Sequence, residues 1–286
     1  MQLKSIEKVE GLDRETFQQK YLKPQLPVVF TDLTQDWPAL FNWTVDRFKD
    51  KYGKLQVPIY SNNYSKPGKG YMEPDKKMPF GEFLDILVSD EPCELRLFLF
   101  NLFRHAPELK RDFKMPDIMD GFYNDFPFMF FGGKGSKVAL HYDIDLSHVF
   151  LNQIHGRKRV VLFPPDQSKF IYHLPYTVAS YIDINHPDYQ QYPAQQFAQG
   201  MEVVIEPGDT LFIPSGYWHY IEYLDGGYSI SLRANESMTR RMQGAANIVK
   251  HFIVDKGMNK LMGEKWLNVK NNLAKKRAEE VVKMMI

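Results

Sequence analysis

Three side chains in this sequence could hold a redox metal. In Ala139-Leu140-His141-Tyr142-Asp143, an imidazole and a carboxylate stand two residues apart. On a β-strand, residues i and i+2 face the same side. A strand over 138–142 would therefore present His141 and Asp143 together. A second run, Ile213-Pro214-Ser215-Gly216-Tyr217-Trp218-His219, ends on another histidine. If the two strands are neighbours, His219 completes a set of two histidines and one carboxylate. Such a set fills three corners of an octahedron and leaves three open. It suits non-haem Fe(II), which needs free positions for a cosubstrate and O2.

No one of these residues is diagnostic alone. His186-Pro187-Asp188 repeats the spacing, but beside a proline in a long loop, where strand geometry is disfavoured. It reads as a decoy. Taken singly, His219 reads as a packed histidine next to Trp218, and His141 with Asp143 divides evenly between structure and chemistry. A fourth residue adds weight. Lys158 lies in Gly156-Arg157-Lys158-Arg159. A lysine facing into a barrel is costly unless paired, and an anionic dicarboxylate would pair it. The other reading is a row of edge-strand charges. Alternation, however, turns Lys158 away from Arg157 and Arg159.

Three zones must position these residues. Over about 1–90 the pattern is mixed. Pro27-Val28-Val29-Phe30-Thr31 reads as a strand, and Thr44 caps a helix that Gly53 stops. Met78-Pro79-Phe80 opens another helix with Pro79 in its first turn. Residues 61–75 read as a surface loop. Over about 94–235 short β-like runs recur: 95–100, 128–131, 138–142, 148–154, 159–163, 201–205, 210–213, 218–223 and 228–232. Turn signals separate them, among them Glu206-Pro207-Gly208-Asp209 and Asp225-Gly226-Gly227. Many short strands suggest a closed or sandwiched antiparallel β fold. The connection 164–200 is long enough to expect a function. Beyond 236, Met242, Ala245, Val249, Phe252 and Ile253 share one helical face. After a break at Gly257, Met258, Leu261, Met262, Trp266, Val269 and Leu273 form a second stripe.

Composition excludes several classes. The 286 residues carry 36 basic and 35 acidic side chains, a net charge of +1, so no electrostatic case exists for a dedicated nucleic-acid binder. One cysteine, Cys93, rules out a disulfide framework or a Cys-rich zinc module. The absence of a signal-peptide pattern or a long apolar run gives the expectation of a cytoplasmic protein that does not span a membrane.

In order along the chain, these motifs resemble the JmjC branch of the Fe(II)- and 2-oxoglutarate-dependent oxygenases, in its cupin-like, asparaginyl-hydroxylase-like subgroup. The resemblance runs over about 10–235. It rests on Pro27-Val28-Val29, Asp36-Trp37-Pro38-Ala39-Leu40, His141-Tyr142-Asp143, Gly156-Arg157-Lys158-Arg159 and Leu162-Phe163-Pro164-Pro165-Asp166. Asn185-His186-Pro187-Asp188-Tyr189, Glu206-Pro207-Gly208-Asp209, Ile213-Pro214 and Trp218-His219 complete it.

The resemblance implies a mainly β fold, a double-stranded β-helix (jelly roll) with N-terminal helices and a C-terminal helical segment outside. It implies a catalytic unit over 1–235 and a helical segment, 236–286, for dimerisation or packing. His141, Asp143 and His219 would bind Fe(II), and Lys158 would grip the distal carboxylate of 2-oxoglutarate. A protein side chain would be hydroxylated by O2, with release of succinate and CO2. Protein or peptide is the expected substrate, with nucleic acid less favoured; segments 164–200 and 60–72 could line a peptide groove. Departures from the subgroup stand at Val138 and Phe98, where it carries hydroxyls. An asparagine position falls at His148 or Val149, and a second is occupied by Arg233, a carboxylate contact or a plain salt bridge. Ser231 and Ser229 are possible donors. Related enzymes dimerise through C-terminal helices, so a homodimer is expected. The rivals are a non-redox metal-binding cupin, such as an isomerase, a binding module, and an adaptor that uses its C-terminal helices.

Overall fold

The computed structural model describes residues 1–62, 73–89, 91–98, 100–180 and 182–285. Its N-terminal strands are β1 (Gln2–Ser5), β2 (Lys8–Val9) and β3 (Val28–Phe30). A small hairpin, β4 (Gln56–Ile59) with β5 (Lys76–Pro79), precedes β6 (Arg96–Leu97). The barrel strands proper are β7 (Phe128–Gly132), β8 (Lys137–His141), β9 (His148–His155) and β10 (Lys158–Phe163). They are completed by β11 (Gln199–Ile205), β12 (Thr210–Ile213), β13 (Trp218–Tyr223) and β14 (Gly227–Ala234). One sheet has the order β1-β11-β10-β13-β8, and the other β2-β3-β12-β9-β14-β7-β6. The expected double-stranded β-helix is the architecture observed.

Alternation sorts side chains into three layers. Val149 and Leu151 of β9, Val160 and Leu162 of β10, and Leu211 and Ile213 of β12 fill the space between the sheets. Phe150, Ile154, Phe212, Tyr228, Ile230 and Leu232 point the other way, into a core shared with Phe17, Phe48, Phe80 and Phe83 of the N-terminal helices. Val161, Phe163, Trp218 and Tyr220 face a third layer, built from Ile171, Tyr172, Ile182 and Ile184 of the long connection and Ala278 and Val281 of the last helix. β9 and β10 are buried on both faces, which is why neither alternates regularly between apolar and polar residues.

Several local expectations hold. Thr44 caps the helix Val45–Tyr52 by accepting the Arg47 N–H at 3.2 Å, and Gly53 ends it. Others need correction. Residues 95–100 form a strand only at Arg96–Leu97, because β7 offers partners only at Gly132 and Phe131; Leu99 lies outside the described residues. Pro79 is the cap of the helix Phe80–Val88 and ends a strand rather than starting the first turn. The loop expected over 61–75 lies mostly outside the described residues, as does the groove reading for 60–72. The connection 164–200 spends its apolar side chains on the sheet, so it is first a packing layer.

The C-terminal segment departs most. The chain stays helical through Gly257 and breaks instead at Gly263, whose φ of +54° glycine tolerates without steric cost. The helix Met238–Lys250 docks through Gly244 rather than through its apolar stripe. Met242, Val249, Phe252 and Ile253 are exposed, as is Leu261. Trp266 is buried; its Nε1 donates to Asp255 Oδ1 at 2.8 Å, which Lys270 Nζ also reaches at 2.6 Å.

Phe150 touches Phe17, Phe30, Phe122 and Phe212, with ring centroids 5.1–6.4 Å apart. Phe150→Ala should therefore cost about 3–5 kcal/mol of stability in chemical denaturation. A loss below about 1 kcal/mol would contradict this packing account.

Candidate metal centre

The β8–β13 ladder brings the two histidines together: His141 pairs directly with His219. The register slips between His219 and Ile221, where Val138 becomes the partner. In a regular strand Val138 and His141, three residues apart, would face opposite sides. The extra residue in β8 restores both to the interior face, the usual work of a bulge beside a site.

The rings of His141 and His219 lie 4.2 Å apart, centroid to centroid. His141 Nδ1 is 2.8 Å from Ala139 O, and His219 Nδ1 is 3.2 Å from Tyr217 O. A carbonyl only accepts, so each Nδ1 carries the proton and each Nε2 keeps its lone pair. That is the tautomer a metal ligand needs. One donor atom each from His141, Asp143 and His219 fall within 4.8 Å of one another. Burial, and then His219, lowers the His141 pKa to about 3, and burial lowers that of His219. Both are neutral at pH 7. Burial works to raise the Asp143 pKa, but Arg233 and then the two histidines outweigh it and hold the carboxyl well below its usual range. Two neutral imidazoles and an ionised carboxylate fit Fe(II).

Asp143 is not on the strand, as the i, i+2 spacing had implied. The ladder ends at His141, and Asp143 starts a turn that Leu146 N–H closes on Asp143 O at 3.0 Å. Arg233 Nη1 is 3.0 Å from Asp143 Oδ2 and 2.8 Å from Asp145 Oδ1, so the salt bridge that the sequence allowed is formed.

Lys158 shares parity with Val160 and Leu162 and faces the interior; it is 1 % exposed. Its Nζ donates to Ser229 Oγ at 2.5 Å and lies 4.4 Å from the centre of the Tyr223 ring. Burial lowers its pKa well below that of a free lysine. Arg157 and Arg159 point outward to Asp225 and to Glu202 and Glu222. Ser229 and Ser231 share the interior face of β14 with Arg233, and Ser231 pairs with Leu151. Phe98 packs tilted against Tyr60, ring centroids 4.3 Å apart, with the Arg96 guanidinium 5.2 Å from its ring centre. His148 turns away from the interior, to Glu236 at 2.8 Å, whereas Val149 faces inward. His186 is exposed beside Asp183, as a decoy should be.

Sequence reasoning missed four residues: Asp145 and Ser147, which share Arg233, and Tyr223 and Arg96 in the interior. Arg96 had a signal, since it is a charge set among the apolar residues Leu95, Leu97 and Phe98. Asp145 repeated the i, i+2 spacing from Asp143.

Residues 14–238 match the family described as "Cupin-like domain", and the chain belongs to that family. It is 30 % identical to lysine-specific demethylase 8 of Danio rerio over 242 residues, 80 % of this chain and 58 % of that protein. It is 29 % identical to lysine-specific demethylase JMJ30 of Arabidopsis thaliana over 240 residues, 80 % of this chain and 54 % of that protein. With tRNA wybutosine-synthesizing protein 5 of Homo sapiens it shares 27 % over 251 residues, 79 % of this chain and 76 % of that protein. The chain thus spans little more than half the length of the two demethylases. Motifs and comparisons agree at the level of the cupin-like JmjC family. Fe(II) and 2-oxoglutarate are the cofactors that go with its JmjC members, and the three-residue cluster could hold the metal.

His219→Ala would remove one of the three side chains that could hold the metal. Since partners one shell further out already cost 10–100-fold in metal affinity, Mn(II) should bind at least about 100-fold more weakly by calorimetry. Unchanged affinity would remove His219 from the site.

Proposed function

We propose that the protein is an Fe(II)- and 2-oxoglutarate-dependent oxygenase that hydroxylates a protein side chain, releasing succinate and CO2. The observation that carries this reading is one interior face holding both a neutral two-histidine, one-carboxylate set and a buried lysine. Lys158 pairs with Tyr223, whereas His219 pairs with Leu162, four residues further along β10. That is about 13 Å along the strand. A lysine side chain and a five-carbon dicarboxylate together span such a distance. A non-redox cupin would use the metal set but bring Lys158 no anionic partner, and an adaptor would need neither.

His141, Asp143 and His219 would hold the metal, and Lys158 with Ser229 would bind the distal carboxylate. Arrival of that carboxylate favours the charged form of Lys158, which burial otherwise disfavours. When bound, the metal with 2-oxoglutarate and O2 supplies the oxidation that places a hydroxyl on a C–H bond. The chain contributes orientation, and the apolar walls of Val149, Leu151 and Ile213 exclude water.

A protein substrate is supported by the relatives named lysine-specific demethylases and by an arginine-specific demethylase of Arabidopsis thaliana, 24 % identical over 264 residues. Tyr123, whose N–H bonds Arg233 O at 2.8 Å, and Phe126, 55 % exposed, offer an aromatic surface at the rim. A second reading, a tRNA substrate, is favoured by the match that covers 76 % of the wybutosine-synthesizing protein. The exposed stripe from Met242 to Ile253 supports a homodimer through the C-terminal helices; molar mass in solution tests it, a monomer contradicting it. No helix among the described residues is long and apolar enough to cross a membrane. A cytoplasmic setting remains part of this proposal and fits the single free thiol of Cys93.

The test is thermal stability with Mn(II), with and without 2-oxoglutarate. At 100 times its Kd, the dicarboxylate should add about 2.7 kcal/mol. Lys158→Ala removes a charge-assisted contact of about 1.5–3 kcal/mol, so its apparent affinity for 2-oxoglutarate should fall about 10–100-fold. A metal response without a 2-oxoglutarate response in the wild type would favour the non-redox cupin. Succinate release stimulated by a peptide pool rather than by tRNA would then decide the substrate class.

A further inference from the structure

Arg233 stands on the interior face of β14, opposite Val149 of β9. Three oxygens converge on its Nη1: Asp143 Oδ2 at 3.0 Å, Asp145 Oδ1 at 2.8 Å and Ser147 Oγ at 3.0 Å. The turn that carries the two carboxylates is held from two further sides. Asn247 Nδ2 donates to Ile144 O at 2.9 Å, and Ser215 Oγ donates to Leu146 O at 2.6 Å. Gly244 lies so close that a Cβ there would stand 2.0 Å from Asp145 O. Asp143 thus owes its place to side chains rather than to the β-ladder.

We propose that Arg233 is a positioning residue that takes up Oδ2 of Asp143 and the carboxylate of Asp145, leaving the metal a single carboxylate oxygen. The inference deepens the oxygenase reading and rests on it for its functional meaning. Carboxylates bind metals through one oxygen or through both. Bound through both, Asp143 would occupy one of the positions that cosubstrate and O2 require. Asp145 shares the same nitrogen, so the two carboxylates stand side by side, and Asp145 released from Arg233 is a candidate extra ligand. Charge alone argues against a guanidinium here, because it repels a divalent cation. A residue selected to raise metal affinity would not be cationic. A cation that occupies surplus carboxylate oxygens limits how many reach the metal, at a cost in affinity.

The experiment uses Mn(II) alone, so that no cosubstrate enters it. Wild type, Arg233→Met and Arg233→Lys are loaded, and water-proton relaxation counts the exchangeable waters on the bound ion while titration gives its Kd. Wild type should hold about three waters, the open positions of the set. Arg233→Met should hold at least one fewer and bind Mn(II) as tightly as wild type or more tightly. Arg233→Lys can bring one cationic nitrogen to the same oxygens and should restore the wild-type count. A wild-type count in Arg233→Met, or Mn(II) binding weakened about 10-fold, overturns the proposal, since a merely supporting residue would give one or the other. If the Met variant does not fold, Arg233→Gln, which keeps a donor without the charge, is read by the same criteria. Adding 2-oxoglutarate to the wild type afterwards tests the oxygenase reading separately. No response there would sink that reading and leave the water counts standing.

Discussion

His141 stands directly opposite His219 across the β8–β13 ladder, and one extra residue in β8 keeps it on the interior face. Without that bulge the first histidine would point into the layer occupied by Leu140, Trp218 and the last helix. The ladder fixes the distance between the imidazoles. The backbone carbonyls of Ala139 and Tyr217 fix their tautomers. Everything else in the centre is built onto that pair. β10 is the other neighbour of β13 and carries Lys158 on the same interior face.

The interior balances charge locally. Its histidines are neutral because burial disfavours their charged forms. The Asp143 carboxylate is ionised because Arg233 faces it, and Asp145 balances the remainder of that guanidinium charge. Lys158 is different: Ser229 and the Tyr223 ring solvate it without neutralising it. A dianionic ligand between Lys158 and a metal would complete the balance. The same low-polarity walls that make Lys158 costly to bury would strengthen its hold on a carboxylate.

Much of this was legible in the sequence, for physical reasons. Period-two alternation separates Lys158 from Arg157 and Arg159, so one lysine of a charged triplet could be assigned to the interior. The β-turn chemistry at Glu206-Pro207-Gly208-Asp209 was equally plain, with Gly208 at φ +96° and Asp209 Oδ2 accepting the Glu206 N–H. What escaped depends on long-range partners. Period-two alternation placed Asp143 on a strand, but the ladder ends at His141, and a bulge has no composition of its own. The pairing of Arg233 with Asp145 joins residues 88 apart. The first C-terminal stripe, Met242 to Ile253, stays exposed, the break at Gly263 divides the second, and the docking face is the one bearing Gly244, Asn247 and His251. Close approach and backbone-directed hydrogen bonds, rather than apolar area, decide that contact.

The helix Met238–Lys250 therefore touches the turn that carries Asp143, while its apolar side faces outward. The central claim is that two imidazoles from neighbouring strands bind one metal. Pulsed electron paramagnetic resonance of the Mn(II)-loaded protein tests it most directly, because coupled ligand nitrogens are counted in the spectrum. The account predicts two histidine nitrogens in wild type and one in either His141→Ala or His219→Ala. A wild-type spectrum with no coupled nitrogen, or one unchanged by both substitutions, would contradict it.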